Sequence, residues 1–379
     1  MAKLNNTNPY KWFTLTAQCF ALLPVDGIKS NNIHFQWKSV HICYTLFITL
    51  VLCVLLIFEV IYSSGQILSE YRINSLITKI CSVLMLIVHL RLGYKWPSLM
   101  QNWSQTETVM DIRYGRLENF GLRVKICILL FFVTTTAGHL NAIVYQYMYG
   151  HVLKFDFYAF IFDYIPFNSI LGITLAFVYT VHFFILNFND FFIIVTSMYV
   201  ALRFQQIRKR LERQEKHAQR GVEIVDFWQE MRRDYDRLSN LCLEVDDGIN
   251  GLIFVSFADN LYCVISYLFR QLMVENEGAQ LVIFYVFFPI MVVKVLTVCL
   301  YTSWINDESL APVNILNSVS SRDYNPEIGR WLTQMSFDKV ALTGGKIFKI
   351  TRSIFLSVAS LVVTYELVVM QFHGFSSKA

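Results

Sequence analysis

Charged residues are scarce in this chain of 379 residues: Asp, Glu, Lys and Arg together make up 16% of it, whereas hydrophobic residues make up 55%. A soluble protein of this length covers its surface with more charge, so the composition excludes an ordinary soluble domain. A mean hydropathy of +0.44 supports the same conclusion. The sequence therefore predicts an all-α protein that crosses a membrane several times.

Motifs for catalysis are also lacking. The sequence contains no His-Glu-x-x-His, no paired Cys-x-x-Cys, no Gly-x-Ser-x-Gly and no glycine-rich dinucleotide loop. The eight histidines are scattered, whereas an intramembrane metal or acyl-transfer site would cluster them. We therefore expect no enzymatic activity, no metal and no cofactor, and no nucleic-acid module is apparent. The net charge of +4 indicates inner loops that meet anionic lipid.

Apolar windows of about 20 residues, the length that crosses the hydrocarbon core as a helix, occur seven times. The fourth window is overlong, so we expect its crossing near Asn168–Phe192 and a helical continuation beyond the bilayer. The seven predicted spans are Val40–Ser63, Ile73–Leu92, Val124–Tyr149, Ile161–Val200, Ile249–Val274, Leu281–Trp304 and Ile347–Phe372.

Lys and Arg are nearly missing from alternate connecting segments. One set of segments holds 25 of the 32 basic residues, and the opposite set holds only Arg72, Lys154 and Lys378. The positive-inside rule therefore predicts a cytoplasmic N-terminus and, after an odd number of spans, an extracellular C-terminus. No stretch resembles a cleaved signal peptide. Trp12–Leu23 is too short to span and is expected to lie against the inner membrane surface.

The cytoplasmic side is predicted to carry helices of its own. Residues 201–248 alternate charges of opposite sign and should extend spans four and five, and Asn325–Val340 should form another helix before a turn at Gly344-Gly345. The predicted organisation is a cytoplasmic segment over 1–39, spans one to six over 40–304, a cytoplasmic helix and turn over 305–346, and a seventh span with a short extracellular tail over 347–379. Helices four to seven would then extend into a cytoplasmic helical domain.

None of the eight cysteines falls in an outer loop, so no structural disulfide is expected.

The last apolar stretch carries one narrow polar stripe. At 100° per residue its members fall within an arc of about 60° on a helix. Polar side chains at membrane depth either line a water-filled path or form a packing seam between helices, and the stripe alone does not separate these interpretations. The stripe consists of Ser353, Ser357, Ser360, Thr364 and Gln371.

A few ionisable residues lie at membrane depth, where each needs a partner or water. Matched by height, they predict three pairs: Glu59 with Lys79, Arg270 with Glu366, and Asp259 with Lys294. Such pairs either hold helices together or offer hydrogen bonds to a polar ligand in a cavity open to the outside.

The outer halves of the spans are rich in aromatic, amide and carboxylate side chains. Aromatic rings stack on the CH faces of a sugar while polar groups bond its hydroxyls, although lipid-belt and core packing explain many single rings. The candidate ligand-binding residues are Glu59, Lys79, His139, Asn141, Tyr145, Asp163, Tyr164, Asn168, Asn260, Tyr262 and Tyr285.

The end of the chain resembles the signature that closes insect gustatory receptors. That signature is Thr-Tyr, five mostly apolar positions and Gln-Phe, and here it runs from Thr364-Tyr365 to Gln371-Phe372, with Glu366 as a charged departure. Other segments, in the same order, resemble the sugar-receptor clade: Ala17-Gln18-Cys19-Phe20, Leu23-Pro24-Val25, residues 96–100 with Trp103, Val245-Asp246-Asp247 and residues 256–262.

The resemblance implies a ligand-gated, nonselective cation channel of the plasma membrane that acts as a gustatory receptor for sugars. It implies a homotetramer, or a heterotetramer with related receptors, in which each subunit gives its seventh helix to one pore. The gate would lie at Gln371 and Phe372, and the pocket would lie among the outer halves of the first six helices. The implied pore-lining residues are Ser353, Ser357, Ser360, Thr364 and Val368.

Two residue types depart from this expectation. Asp259 stands where the clade has an amide, and Lys346 and Lys349 lie near the inner end of the polar face, where a cation path tolerates them only if they turn aside. A G-protein-coupled receptor would carry Asp-Arg-Tyr after span three and Asn-Pro-x-x-Tyr in span seven, which are absent. A transporter would show an internal repeat, which is also absent. An odorant-receptor-like channel subunit for another small ligand is the nearest alternative.

Overall fold

The apolar stretches form long helices in the computed structural model of the chain. The structure describes residues 9–28, 32–64, 70–149, 161, 166, 168–218, 227–273, 279–321 and 324–376. Within these ranges the side chains of residues 9–12, 70–71, 141–149, 215–218, 269–273, 279–285, 366 and 369–376 lie outside the description. In chain order the elements are α1 (Pro9–Cys19), α2 (Val40–Ser63), α3 (Glu70–Tyr114), α4 (Phe120–Tyr149), α5 (Ser169–Ala218), α6 (Phe227–Met273), α7 (Ala279–Leu310), α8 (Pro312–Asn317), α9 (Pro326–Phe337), β1 (Thr343–Gly344), β2 (Phe348–Lys349) and α10 (Arg352–Ser376).

Six helices among the described residues, α2 to α7, are long and apolar enough to cross a membrane. The last helix, α10, has 25 residues and a length of about 37 Å, and its apolar portion is described over Arg352–Tyr365. The prediction of an all-α, multi-pass membrane protein is confirmed. The crossing by α10 and the orientation of the termini stay predictions.

Four of the spanning helices continue far beyond a bilayer's thickness. The helices of predicted spans four and five continue past their apolar windows, because α5 runs on to Ala218 and α6 already begins at Phe227. Helix α3 also continues past its predicted end at Leu92, through Pro97 to Tyr114. The apolar pattern of the sequence stops near Leu92 and therefore does not indicate this continuation. The charged ends of α3, α5, α6 and α7, together with α8 and α9, form a layer that we call the charged helical layer.

Buried ion pairs join the helices of the charged helical layer. The side chain of Arg203 on α5 is 1% exposed and donates to Asp111 of α3 at 2.6 Å. Asp234 of α6 is fully buried and pairs with Arg113 of α3 at 2.6 Å. Charges taken out of water are tolerated when they are paired in this way, and breaking such a pair is costly.

The helix expected over Asn325–Val340 is α9, which runs from Pro326 to Phe337 and begins at an asparagine cap. The Asn325 side-chain oxygen accepts a hydrogen bond from the Glu327 backbone nitrogen at 2.9 Å. Arg232 of α6 donates to the Glu327 carboxylate at 2.7 Å, and this hydrogen bond holds the pKa of Glu327 below its ordinary value. The apolar side of α9 faces inward, with Trp331 and Met335 buried.

Helix α1 is buried among the other helices, so the prediction that Trp12–Leu23 lies on the membrane surface is wrong for its described residues. Phe13 is fully buried, and its ring lies 4.9 Å from the ring of Phe192 on α5. The turn after α1 is tied to the bundle, because Thr45 of α2 donates to the Ala21 carbonyl at 2.7 Å. A short apolar segment can pack against lipid or against other helices, and its sequence does not distinguish the two locations.

Two predicted span boundaries change. Helix α5 begins at Ser169 rather than Ile161, with the Asn168 side chain capping the Ile170 nitrogen at 2.9 Å, which agrees with a crossing from Asn168 onward. Helix α10 begins at Arg352 rather than Ile347, because residues 347–351 belong to a turn and strand that precede it. The apolar pair Ile347-Phe348 suits a strand as well as a helix.

An antiparallel hairpin, residues 342–350, joins α9 to α10. In its register Thr343 faces Lys349 and Gly344 faces Phe348, and the Ile350 nitrogen donates to the Leu342 carbonyl at 2.9 Å. The predicted turn at Gly344-Gly345 is confirmed, since Gly345 adopts the left-handed conformation at a φ of +60°. The hairpin fixes the direction in which α10 leaves the charged helical layer.

Candidate functional site

A polar network lies in the apolar middle of the helix bundle and connects α5, α6 and α7. The Lys294 ammonium of α7 is 2.9 Å from the Asp190 carboxylate of α5 and 3.3 Å from the Asn187 side-chain oxygen. Asp190 also accepts hydrogen bonds from Ser256 and, at 3.0 Å, from Asn260, both on α6. One carboxylate thus holds side chains from two neighbouring helices.

The predicted pairing of Asp259 with Lys294 is replaced by the pairing of Asp190 with Lys294. Asp259 is buried beside Cys81 of α3 and interacts with Lys294 only electrostatically, and its Oδ1 atom has no hydrogen-bond partner among the described residues. Two charged residues at the same depth in the membrane pair only if their helices are neighbours, and depth alone does not show which helices are neighbours. The missed signal was the polar group Asn187, Asn189 and Asp190 inside an otherwise apolar stretch.

The predicted pair of Glu59 and Lys79 is confirmed. The ammonium of Lys79 on α3 lies 2.5 Å from the Glu59 carboxylate on α2, and it also donates to Ser75 at 2.8 Å. All three side chains are buried, so the pair connects α2 to α3. The predicted pair of Arg270 and Glu366 lies outside the described side chains.

Three further candidate residues lie among the described side chains. The His139 ring of α4 lies 3.2 Å from the Thr180 hydroxyl of α5, and the rings of Tyr179 and Phe183 flank it at centroid distances of 5.3 and 5.5 Å. The oxygen of Asn168 is engaged as a helix cap. Tyr262 is half-buried on α6. Asn141, Tyr145, Asp163, Tyr164, Tyr285, Gln371 and Phe372 lie outside the described side chains.

A crevice opens beside the polar network. It is lined by Phe257, Asn260, Val295, Val298 and Cys299 and is too narrow to admit a water molecule. The Oδ1 atom of Asn260 is buried and has no hydrogen-bond partner among the described residues. Sites for small molecules usually hold about 300–1,000 Å³, so this crevice does not by itself form a ligand pocket.

The two sides of α10 have different surroundings. Val358 and Val362 are buried, and Ile354, Phe355 and Tyr365 pack against the same core. The described members of the polar stripe point about 140° away from this side and are exposed. They are Ser353, Ser357, Ser360 and Thr364, and Val368 beside them is exposed as well. The stripe is therefore not a packing seam within the described part of the chain.

Both lysines at the inner end of α10 are engaged by other parts of the chain. The Lys346 ammonium lies 2.7 Å from the carboxylates of both Asp246 and Asp247 on α6, and Lys349 donates to the Lys339 carbonyl at 3.1 Å. Burial alone would lower the pKa of Lys346, but its hydrogen bonds with the two aspartates raise that pKa above the ordinary value. Their contacts lie on α6 and in the segment before the hairpin, so both ammonium groups are directed toward other parts of the chain.

Known proteins resemble this chain along nearly its whole length. A family model described as the trehalose receptor matches residues 10–379. The gustatory receptor for sugar taste 64f of Drosophila melanogaster is 30% identical over 378 residues, which cover 95% of this chain and 79% of that protein. The gustatory receptor 5a for trehalose of the same organism is 27% identical over 380 residues, which cover 94% and 83%. These relatives are receptors, not enzymes.

The fold also matches solved structures. The insect olfactory receptor OR5 from Machilis hrabei superposes with a TM-score of 0.67 at 12% identity, covering 96% of this chain and 97% of that one. The same receptor in complex with eugenol superposes with a TM-score of 0.64, covering 95% and 97%. At such low identity this likeness shows a shared fold alone. The family match extends along nearly the entire chain and confirms the resemblance to sugar-type gustatory receptors: the chain belongs to the trehalose receptor family.

Proposed function

We propose that this chain is a subunit of a nonselective cation channel of the plasma membrane that is opened by an extracellular sugar. The observation that carries the proposal is the polar stripe of α10, whose described members are covered by no described residue of the same chain. A row of hydroxyls on an apolar helix needs water or another protein, and a pore supplies water.

Assembly of several copies around one axis turns this stripe into a pore lining. The buried side of α10 packs on its own subunit while the stripe points away, so four copies could direct their stripes toward a common axis. We propose a homotetramer, or a heterotetramer with related receptors, whose gate is formed by Gln371 and Phe372. Ser353, Ser357, Ser360, Thr364 and Val368 would line the path inward from that gate.

A sugar is the ligand class that the relatives support, since two of them are named for sugar taste and for trehalose. We place the pocket in the outer halves of α2 to α7. The Lys294 side chain is 31% exposed at mid-membrane depth, where contact with hydrocarbon is unfavourable, which supports water reaching the polar network from the pocket. Asp190 and Asn260 would then form the floor of the pocket.

We place the remaining candidate residues closer to the extracellular end of the same pocket. We propose that His139, with the rings of Tyr179 and Phe183 beside it, offers an aromatic and polar wall. The other proposed contacts are Glu59, Lys79, Asn141, Tyr145, Asp163, Tyr164, Asn168, Tyr262 and Tyr285. A sugar that binds the open form more tightly than the closed form shifts the equilibrium by that difference in affinity and by no more.

The proposed orientation has a cytoplasmic N-terminus and an extracellular C-terminus. It is supported by the basic residues, which concentrate on the side of the charged helical layer. Epitope tags at each end test it: on intact cells an antibody should bind the C-terminal tag alone. Binding of the N-terminal tag instead would overturn the orientation and with it the outward-facing pocket.

Expression of the chain in cells without other taste receptors, with currents recorded against a panel of mono- and disaccharides, tests the function. We expect inward cation current with at least one sugar, either alone or together with a related sugar receptor. The shared fold with an olfactory receptor favours a second candidate, a channel for another small ligand, so eugenol belongs in the panel. Current with eugenol and none with any sugar would favour that candidate.

A further inference from the structure

The hairpin that precedes α10 is held by a single buried carboxylate of α6. Asp246 is 2% exposed. Its Oδ1 atom accepts hydrogen bonds from the Thr343 backbone nitrogen at 2.6 Å and from the Thr343 hydroxyl at 2.9 Å, and its Oδ2 atom lies 2.7 Å from the Lys346 ammonium. A carboxylate that receives three donors from one loop specifies the position of that loop.

The hairpin also follows the surface of α6 for nearly three turns. The Gly345 nitrogen donates to the Asn250 carbonyl at 2.9 Å, and the Phe254 ring lies so close over Gly345 that a Cβ atom there would approach it to 3.3 Å. The rings of Phe348 and Phe257 meet edge to face at 5.9 Å. Residues 246, 250, 254 and 257 recur at helical spacing, so one face of α6 carries the whole hairpin.

The same helix carries part of the polar network. Ser256 and Asn260, which bind Asp190, follow Asp246 by 10 and 14 residues, a distance of about 15–21 Å along the axis. No proline interrupts α6 between them. A displacement of α6 at the polar network therefore reaches the hairpin through one continuous helix.

A second connection to α10 is weaker. Arg352, the first residue of α10, pairs with Asp307 of α7 at 2.6 Å, but its side chain is 72% exposed. Ion pairs between exposed side chains contribute little to stability, because water and salt screen them. The buried Asp246 carboxylate is thus a stronger attachment of the segment before the last helix than the exposed pair of Arg352 and Asp307.

We propose that Asp246 is the positioning residue that couples α6 to α10, so that movement of α6 on ligand binding is transmitted through the hairpin to the pore helix. The inference rests on the proposed channel function. Asp246 touches neither ligand nor pore, and it acts by keeping Thr343 and Lys346 at a constant position on α6. Loss of the carboxylate lowers the coupling between the two sites.

The test compares Asp246→Asn with Asp247→Asn, and Thr343→Val with Thr343→Ser. Asp247 contacts the same lysine, but its side chain is 62% exposed and makes no described contact with Thr343, which makes it the matched control. Sugar dose–response curves, current per receptor at the cell surface and single-channel conductance are recorded for each. Coupling free energies between sites correspond to factors of about 5–150, so we expect about a tenfold loss of maximal current per surface receptor, or a tenfold rise in half-maximal concentration, in Asp246→Asn.

Thr343→Val should show a smaller loss of the same kind, while Asp247→Asn, Thr343→Ser and the single-channel conductance of every variant stay close to wild type. A purely structural role would reduce the number of surface receptors and leave the current per receptor unchanged, which would overturn the proposal. If Asp246→Asn does not reach the cell surface, the same currents are recorded for Lys346→Met and Thr343→Val. Wild-type currents in both of these variants would overturn the proposed coupling. A wild-type chain without any sugar response, alone or with related receptors, contradicts the proposed function instead.

Discussion

Asp190 of α5 and Lys294 of α7 form an ion pair of 2.9 Å in the apolar middle of the bundle, and α6 donates two further hydrogen bonds to the same carboxylate. The carboxylate therefore holds three helices in one arrangement. Because α6 also carries the hairpin before α10, this arrangement connects the middle of the membrane with the start of the last helix.

Removal of one member of this pair should destabilise the protein more than removal of both. Asp190→Asn leaves the Lys294 ammonium without its counter-ion, and breaking a buried pair on one side costs about 3–5 kcal/mol. Lys294→Met should behave similarly, whereas the double variant should recover part of the loss. Thermal unfolding of purified protein in detergent measures this. A double variant that is as unstable as either single variant, or more so, would contradict the prediction.

The pair of Glu59 and Lys79 can be separated into a structural and a ligand-binding role. Glu59→Gln should lower thermal stability because Lys79 is buried and loses its counter-ion. The charge-exchanged variant, Glu59→Lys with Lys79→Glu, should recover most of that stability. If these groups also bind sugar, the exchanged variant should reach the cell surface and yet respond to sugar poorly; a wild-type response would limit the pair to a structural role.

Cysteine substitutions test whether the stripe of α10 lines a pore. Ser357→Cys, Ser360→Cys and Thr364→Cys should react with water-borne, charged thiol reagents in the presence of agonist, with a measurable change in current. Val358→Cys and Val362→Cys are the matched controls, because these positions are buried against the subunit's own core. Protection of all three stripe positions, or equal reaction at the controls, would favour a packing seam between subunits.

The proposed gate predicts the effect of shortening Phe372. Phe372→Ala should raise the resting conductance, because a smaller side chain leaves the constriction wider when no sugar is bound. Phe355→Ala is the control on the same helix, since Phe355 packs against the core. Whole-cell current before and after sugar measures both variants. Resting and sugar-evoked currents like those of the wild type in Phe372→Ala would exclude this residue as the gate.

Asp234 should be a stability determinant of the charged helical layer. It is fully buried and accepts hydrogen bonds from Arg113 at 2.6 Å and from the Tyr114 hydroxyl at 2.9 Å. Hydrogen bonds to charged groups contribute about 1.5–3 kcal/mol each, so Asp234→Asn should lower the free energy of unfolding by at least that amount. Asp338→Asn, at an exposed aspartate, should change the melting temperature little. Equal melting temperatures for the two variants would contradict the role of Asp234.

Features that depend on neighbouring residues in the chain were predictable. The apolar windows and the alternating charges of residues 201–248 predicted apolar helices that continue as charged ones, and the pattern of Asn325–Val340 predicted a further helix there. The closing Thr-Tyr to Gln-Phe signature predicted the family, which the full-length match confirms. Glu59 and Lys79 could be paired because consecutive helices α2 and α3 are joined by a short connection and are therefore neighbours in space.

Features that depend on which helices are neighbours in space could not be predicted from the sequence. Asp259 and Asp190 are both acidic residues that interact with Lys294, and only the packing of α5 against α7 selects Asp190. The burial of Phe13 among the rings of α5 has the same origin.

By itself, then, the sequence determined that this protein is a helical membrane protein, because composition and periodicity are properties of the chain, and its motifs carried the resemblance to receptors of the sugar type. Only the tertiary structure decided that Lys346 and Lys349 are engaged by other parts of the chain and that no described residue covers the serines and Thr364 on the polar stripe of α10. It also decided that Asp246 holds the hairpin, as a carboxylate acquires partners only when distant segments are brought within hydrogen-bonding distance.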